Sequence, residues 1–235
     1  KGETLPTTIH KKNWNSLNPV KSQYFARFSL REQFIPPLGF DVFYFDQDCS
    51  VSKDIQSDNL VSVQEKDNYI FLENPSVRAE INKNTGLIEE YRNKDFDTNV
   101  LAKPSNKILV FKEVQSTNAW NIDPNYENNP VQYDLGKCEV SITHRDNNYC
   151  VVQIKRKIQN STFVQRVELD SQSEGLTLSM DISLKDPKWL VKLEFNTNIE
   201  AKYITSEIPY AYINRAIEPQ SLLDTARWEH ACQKW

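Results

Sequence analysis

From Leu176 to Phe195 the apolar residues fall on every second position: Leu176, Leu178, Met180, Ile182 and Leu184, then Trp189, Val191, Leu193 and Phe195. Successive side chains of a strand point to opposite faces, so this period demands extended chain with one buried face. The signature recurs upstream. Val77, Ala79 and Ile81 share a face, and the turn Asn82-Lys83-Asn84-Thr85-Gly86 leads into a partner strand at 87–92. Further strands are predicted at 69–72, 107–114, 137–143, 149–158 and 162–169, with a second hairpin around Asp146-Asn147-Asn148. None of these stretches carries a helical period. A long succession of strands without helices predicts an all-β chain, an antiparallel β-sandwich. One buried face on each strand supplies a sizeable core at about 25 cal/mol per Å² of apolar area.

The first quarter of the chain reads differently. Residues 1–18 are polar and aperiodic, an irregular lead-in or linker. Tyr24 to Leu30 alternates and predicts a strand. Ile35-Pro36-Pro37-Leu38-Gly39-Phe40 predicts a bend, since two prolines lock φ and remove two donors. Asp41 to Phe45 is a second short strand, and 46–67 is polar. These features divide the chain into a small N-terminal β module and linker at 1–62 and a larger β domain at 63–235. With Lys1 in place of an initiator methionine, the chain is expected to be a cut piece. Glycines number 5 and asparagines 22 in 235 residues. Asparagine tolerates positive φ and mimics a backbone turn with its side chain, so Asn82–Gly86, Asn128-Asn129 and Asn147-Asn148 read as turns.

Composition removes several function classes. A net charge of −4 and a pI near 5.5 lack the clustered cations of a nucleic-acid surface. The lone basic triplet, Lys155-Arg156-Lys157, reads as a solvated strand face. No apolar run reaches the roughly 18 residues of a membrane span. The four cysteines, Cys49, Cys138, Cys150 and Cys232, form no C-x-x-C motif. Cys138 and Cys150 lie on strands that should pair, but free buried thiols in a reducing, cytoplasmic compartment are the better reading. Asn160-Ser161-Thr162 is a glycosylation sequon that carries little weight in so Asn-rich a chain.

Catalysis needs a nucleophile or a metal with groups arranged around it. His144-Arg145-Asp146 has the H-x-D spacing of some zinc sites, but it falls at a hairpin turn and reads as a polar turn. There is no G-x-S-x-G elbow, no phosphate-cradling glycine loop and no carboxylate pair spaced as acid and base. The residues describe a chain that is non-catalytic by itself. The segment Thr117 to Asp123 is the exception in character. Trp120 lies between the amides of Asn118 and Asn121, with Tyr126 following. A sugar site pairs an aromatic face with planar polar groups in this way; a loop tryptophan plugging the end of a sandwich is the competing reading. The final stretch, Ile199 to Trp235, predicts a strand through Ile208-Pro209-Tyr210-Ala211-Tyr212-Ile213, whose tyrosines at i and i+2 share a face.

Several motifs, in order, resemble the β-domain region of the family-38 α-mannosidases. Ile35-Pro36-Pro37-Leu38-Gly39-Phe40 is similar to V-P-P-L-G-Y. Leu72-Glu73-Asn74 through Arg78-Ala79-Glu80-Ile81, with Thr85-Gly86-Leu87-Ile88, is similar to L-E-N-x-x-x-R-V-E-I-x-x-x-G-x-I. Thr117 to Asp123 stands where that family has W-D-A-W-D-I-D, and Asn160 to Arg166 resembles N-S-T-I-x-Q-R. Glu207-Ile208-Pro209-Tyr210 to Arg215, Asp224 to Glu229 and Lys234-Trp235 resemble its closing signature. Departures are Thr117, Asn118 and Asn121 for Trp and two Asp, Ala211 for Gly, and Ala216-Ile217-Glu218 for Pro-Thr-His. Exchanging carboxylate for amide keeps an acceptor and removes a charge.

The resemblance implies a galactose-mutarotase-like β-supersandwich that accompanies a zinc-dependent retaining hydrolase domain. Zinc and the nucleophile would sit on that N-terminal catalytic domain, which this chain lacks, so no cofactor and no catalytic residue is expected here. The chain would contribute substrate-binding residues, Trp120 with Asn118 and Asn121, to the rim of a pocket for an α-mannoside oligosaccharide. Arg215 and Arg227 would be structural salt-bridge or hydroxyl-binding groups. The family continues beyond the position of Trp235, so the last sheet is expected to lack strands, and an unpaired edge is a route to homo-oligomers. Three readings stand beside one another: an accessory fragment of an α-mannosidase, a self-standing carbohydrate-binding β-sandwich, and a purely structural or assembly domain.

Overall fold

The computed structural model describes residues 7–12, 23–28, 39–40, 60–113, 122–123, 125–225 and 230–234. In chain order the strands are β1 (Thr7–Lys12), β2 (Gln23–Phe28), β3 (Ser62–Lys66), β4 (Tyr69–Glu73), β5 (Val77–Asn82), β6 (Ile88–Asn93), β7 (Thr98–Asn99) and β8 (Lys107–Lys112). A 3-10 turn at Tyr126–Asn128 precedes β9 (Cys138–Arg145), β10 (Tyr149–Ile158), β11 (Ser161–Asp170), β12 (Thr177–Ser183), β13 (Trp189–Glu194), β14 (Tyr203–Ile208) and β15 (Ala211–Ala216). A single helical turn, α1 (Leu222–Thr225), closes the list. The chain is all-β, as its period-two patterning predicts, and its strands pair antiparallel.

The chain divides into two compact units, one of residues 1–98 and 134–185, the other of 99–133 and 186–235. In the first, a five-stranded sheet ordered β3-β4-β5-β6-β7 faces a four-stranded sheet ordered β12-β11-β10-β9. The core is the meeting of their inner faces. Ile70, Leu72, Val77, Ala79 and Ile81 come from one sheet, and Cys150, Val152, Ile154, Phe163, Val167 and Leu169 from the other, all buried. Gly86 shows how close the sheets approach. It adopts φ +67, and a Cβ there would lie 2.4 Å from Cγ2 of Ile154 on β10. Only glycine meets both conditions without strain.

Polar clamps fix the two sheets against each other. Asn74, in the β4–β5 turn, accepts at Oδ1 from the N–H of Ser76 and Val77 (2.9 and 2.8 Å). Its Nδ2 donates to the carbonyls of Asp170, the last residue of β11, and Ser173, in the turn that follows, both at 2.8 Å. Arg145 donates to the Val63 carbonyl on β3 (2.6 Å), and the Val61 N–H donates to Asn147 (2.8 Å). Arg156 is buried on the inner face of β10 and donates to the carbonyls of Leu135 and Thr85, while its neighbours Lys155 and Lys157 are exposed. The basic triplet is thus a solvated face on its two lysines only.

In the second unit β13 pairs with β8, and β14 pairs with β15 as a separate hairpin. The strand expected to run through Ile208 to Ile213 is broken at Pro209-Tyr210 by the hairpin's turn, with Ile208 ending β14 and Ala211 opening β15. Pro209 presets φ at its first position and Tyr210 takes φ 62 at the second. The lead-in also differs from its reading as irregular, because Thr7–Lys12 pairs with Gln23–Phe28 as a two-stranded sheet. The expected strand at 41–45, the Pro36-Pro37 bend and Cys49 lie outside the described residues.

Two further expectations meet a finer picture. The β10–β9 register sets Cys150 opposite Arg145 and Cys138 opposite Arg156, six residues apart along β9–β10, or about 20 Å at the strand rise. Both thiols are free, as is Cys232, and burial pushes the Cys150 thiol up to about 12. Positive φ outside glycine falls on Asp67, Asp97, Asn106, Gln159, Lys188 and Tyr210. The asparagines serve the turns mainly through their side chains: Asn82 accepts from the N–H of Asn84 and Thr85, and Asn99 from that of Leu101.

Replacing Asn74 strands two amides and two carbonyls in a nearly closed site. Asn74→Ala is expected to cost about 2–4 kcal/mol of unfolding free energy in urea, and Asn74→Asp, which keeps the acceptor but loses both donors, a comparable amount. An unchanged midpoint for both variants would contradict this account of the sandwich.

Candidate functional site

Trp120, Asn118 and Asn121 lie outside the described residues, as does Arg227. The structure describes the base from which the loop carrying the first three springs. On the outgoing side, the Glu113 N–H donates to the Lys188 carbonyl at 2.9 Å. On the returning side, Asp123 is buried; its Oδ1 accepts from the Asn125 N–H (2.9 Å) and its carbonyl from the Tyr126 N–H (3.1 Å).

Tyr126 is the anchor of this base. Its ring is buried and meets Phe111 of β8 edge-on, with centroids 4.9 Å apart and planes at 81°. The Lys192 ammonium of β13 lies 4.7 Å from the ring centroid and also donates to the Tyr126 hydroxyl, which donates to Glu127 at 3.2 Å. The Lys192 hydrogen bond to the hydroxyl ties β13 to this ring. The chain then runs back along β8: Lys112 N–H to Asn129 O at 2.9 Å, Val131 N–H to Val110 O at 2.7 Å, and Tyr133 hydroxyl to Ile108 O at 2.5 Å. The described residues on either side of 114–121, Glu113 and Asp123, are thus each held by bonds at the β8–β13 sheet and its flank. Tyr126 stands out in the sequence as an aromatic after Trp120; its partner Lys192 does not, because its long stem reads as an ordinary polar position of a strand.

His144 and Asp146 resolve into a turn clasp. His144 Nε2 and Asp146 Oδ2 are 2.5 Å apart, and Asp146 Oδ1 accepts from the N–H of Asn148 (2.7 Å) and Tyr149 (3.0 Å). The His144 ring leans on Tyr149, whose hydroxyl donates to Glu168. Both side chains of the H-x-D motif are thus engaged in the β9–β10 hairpin. Among the described residues no group of three or more His, Cys, Asp and Glu is placed to hold a metal ion, and no described helix is long and apolar enough to cross a membrane.

Arg215 is half-buried on β15, and its Nη1 finds no hydrogen-bond partner among the described residues; the same holds for Oε2 of Glu207 on β14. Of the sequon, Asn160 is the second residue of the two-residue turn between β10 and β11, and Ser161, the first residue of β11, is buried with its Oγ accepting from the Lys185 N–H at 2.9 Å.

Compared with known families, residues 72–235 match the glycosyl hydrolases family 38 C-terminal domain. The chain belongs to that family. A comparison with curated proteins gives no match. As a family-38 C-terminal domain the chain is an accessory domain of glycosyl hydrolases, and its all-β architecture agrees with that membership. The match begins at Leu72, in the Leu72-Glu73-Asn74 motif whose asparagine clamps the two sheets.

The Asp146 clasp predicts an acid limit for this domain. Burial alone would raise the Asp146 carboxyl, but the His144 ring and the amides of Asn148 and Tyr149 outweigh it and hold the carboxyl below its usual range. A depressed carboxyl contributes stability that is complete above the unfolded value of about 3.9 and is lost as pH falls through the lower folded value. Urea midpoints of Asp146→Asn and the parent chain should differ wherever the Asp146 carboxyl is ionised and converge as pH falls below about 4. A gap that stays constant down to pH 2 would be the contrary result.

Proposed function

We propose that this chain is the accessory β portion of an α-mannosidase that hydrolyses terminal α-mannosides with retention. The observation that carries the reading is the family membership over residues 72–235, joined to a base in which the Glu113 N–H bonds the Lys188 carbonyl on one side of the segment bearing Trp120 and Asp123, Tyr126 and Lys192 are held together on the other. In this reading Trp120 offers its face to the C–H side of a mannose ring, and the amides of Asn118 and Asn121 bond the hydroxyls. Asparagines at those positions suit a neutral sugar, since they present donors and acceptors without a charge to be desolvated.

Zinc and the nucleophile belong to the N-terminal catalytic domain of the same protein, with which the β portion pairs; no step of the hydrolysis is assigned to a residue of this chain, which is inactive alone. The described donor set supports that division, because its H-x-D pair is spent on the β9–β10 turn. The free thiols of Cys138 and Cys150 support a reducing, cytoplasmic setting.

The test uses the enzyme with its catalytic domain present. Trp120→Ala should lower kcat/KM on an α-mannoside about tenfold, equivalent to about 1.4 kcal/mol of transition-state stabilisation, with an unchanged unfolding midpoint. Unaltered kinetics would remove Trp120 from the rim.

A further inference from the structure

Strand β12 is an edge that the sandwich leaves open. Its sheet runs β12-β11-β10-β9, so among the described residues β12 pairs on one side only. The register with β11 sets Leu178 opposite Val167, Met180 opposite Gln165 and Ile182 opposite Phe163. Residues directly opposite share a face. Those three residues of β11 are buried, so Leu178, Met180 and Ile182 prolong the core face of the sheet. Leu178 and Ile182 are nonetheless 37% and 46% exposed, and Leu184, two residues on, is 48% exposed. The other outer strands of the sandwich are guarded. β3 ends in the exposed charges Glu65 and Lys66, β7 is two residues long, and β9 carries exposed Glu139 and Arg145 and has a bulge in its pairing with β10. Charges, brevity and bulges keep an edge from pairing with another chain. Thr177–Ser183 has none of these guards: it holds no lysine, arginine or proline, and its register with β11 is unbroken. Its one charge, Asp181, is bound to Arg166 at 2.7 Å.

We propose that β12 is a two-fold interface between two copies of this chain, whose β12 strands pair antiparallel about Met180. The strand's own symmetry selects the occupant. Leu178 and Ile182 stand two residues to either side of Met180, with polar residues between and beyond them. Pairing about Met180 uses all seven residues of the strand. It sets Leu178 opposite the partner's Ile182, and Asp181 opposite the partner's Ser179, a hydroxyl rather than a second charge. Other registers fit less well. A slip of one residue turns the core face of one copy to the solvent side of the other. Centring the pair on Asp181 opposes two like charges. Centring it on Ser179 carries Ile182 past the end of the partner strand. About Met180 the two four-stranded sheets become one of eight strands, and the exposed rows of Leu178 and Ile182 cover each other. The inference rests on β12 alone and not on the mannoside reading or on Trp120.

Sedimentation equilibrium of the intact chain over a range of concentrations tests it, with cross-linking to read the register. The parent chain should pass reversibly from monomer to dimer. Ile182→Lys places a charge at the exposed edge, and a two-fold interface counts it twice. It should weaken the dimer by about tenfold or more in Kd, with an unchanged unfolding midpoint. Opposed residues of an antiparallel pair have Cα atoms about 4.5–5.5 Å apart, within reach of a disulfide. With Cys49, Cys138 and Cys232 replaced by serine, Met180→Cys should therefore oxidise to a covalent dimer under copper phenanthroline. Thr177→Cys alone should not, since its two copies would lie about 20 Å apart at the strand rise, whereas a mixture of Thr177→Cys and Ser183→Cys should. A parent chain that sediments as a monomer at every concentration would overturn the proposal and leave this edge to a strand of another protein. A dimer that Ile182→Lys leaves intact, or that Met180→Cys locks no better than Thr177→Cys, would equally overturn it. Neither result bears on the Trp120 kinetics.

Discussion

Asn74 holds the sandwich in register. Its one side chain accepts from two amides of its own turn and donates to the carbonyls of Asp170, at the end of β11 in the facing sheet, and Ser173, in the turn after it. Apolar burial drives the two sheets together but is non-directional, and any sliding of one sheet over the other would bury a similar area. Directional bonds from a buried side chain remove that freedom, because each bond left unmade costs about 1–3 kcal/mol. Arg156 reaching the Thr85 and Leu135 carbonyls, and Arg145 reaching Val63, act in the same sense elsewhere in the unit. The requirement for Gly86 follows from them, since sheets held this closely leave no room for a Cβ against Ile154.

Much of this architecture is legible in the sequence, because strand periodicity is a local property. The alternation in Val77-Ala79-Ile81 reappears as a strand with that face inward, and the stretches expected at 149–158 and 162–169 reappear as β10 and β11. What escapes is set by tertiary contact. Arg156 sits between two lysines in a basic triplet, and nothing in that triplet marks the middle residue as the buried one; its place on the inner face follows from the register of β10 with β11. The period-two run at β12 is a real strand, yet Leu178, Ile182 and Leu184 keep 37–48% of their surface exposed because β12 is the edge of its sheet. The Pro209-Tyr210 turn is hidden by its own chemistry: Tyr210 takes a left-handed φ that sequence patterns reserve for glycine or asparagine.

The same division governs the site. The chemical character of the Trp120 segment can be read directly, since it is a matter of which residue types stand together. The device that supports it cannot, because Phe111, Tyr126 and Lys192 come from three separate stretches and meet only when β8 pairs with β13. The H-x-D motif shows the converse. Its spacing has a catalytic ring to it, but a hairpin turn places the two side chains on each other and on the amides of Asn148 and Tyr149. Spacing alone therefore proposes chemistry, and the surrounding hydrogen bonds decide whether the groups are available for it.

The central claim is that this family-38 C-terminal domain completes an α-mannosidase without supplying its chemistry. The most direct measurement mixes the chain with the separately produced N-terminal catalytic domain and follows release of p-nitrophenol from p-nitrophenyl α-mannoside. The account predicts no turnover by this chain alone and turnover by the mixture above that of the catalytic domain alone. Hydrolysis by this chain in isolation, or a mixture no more active than the catalytic domain by itself, would contradict it.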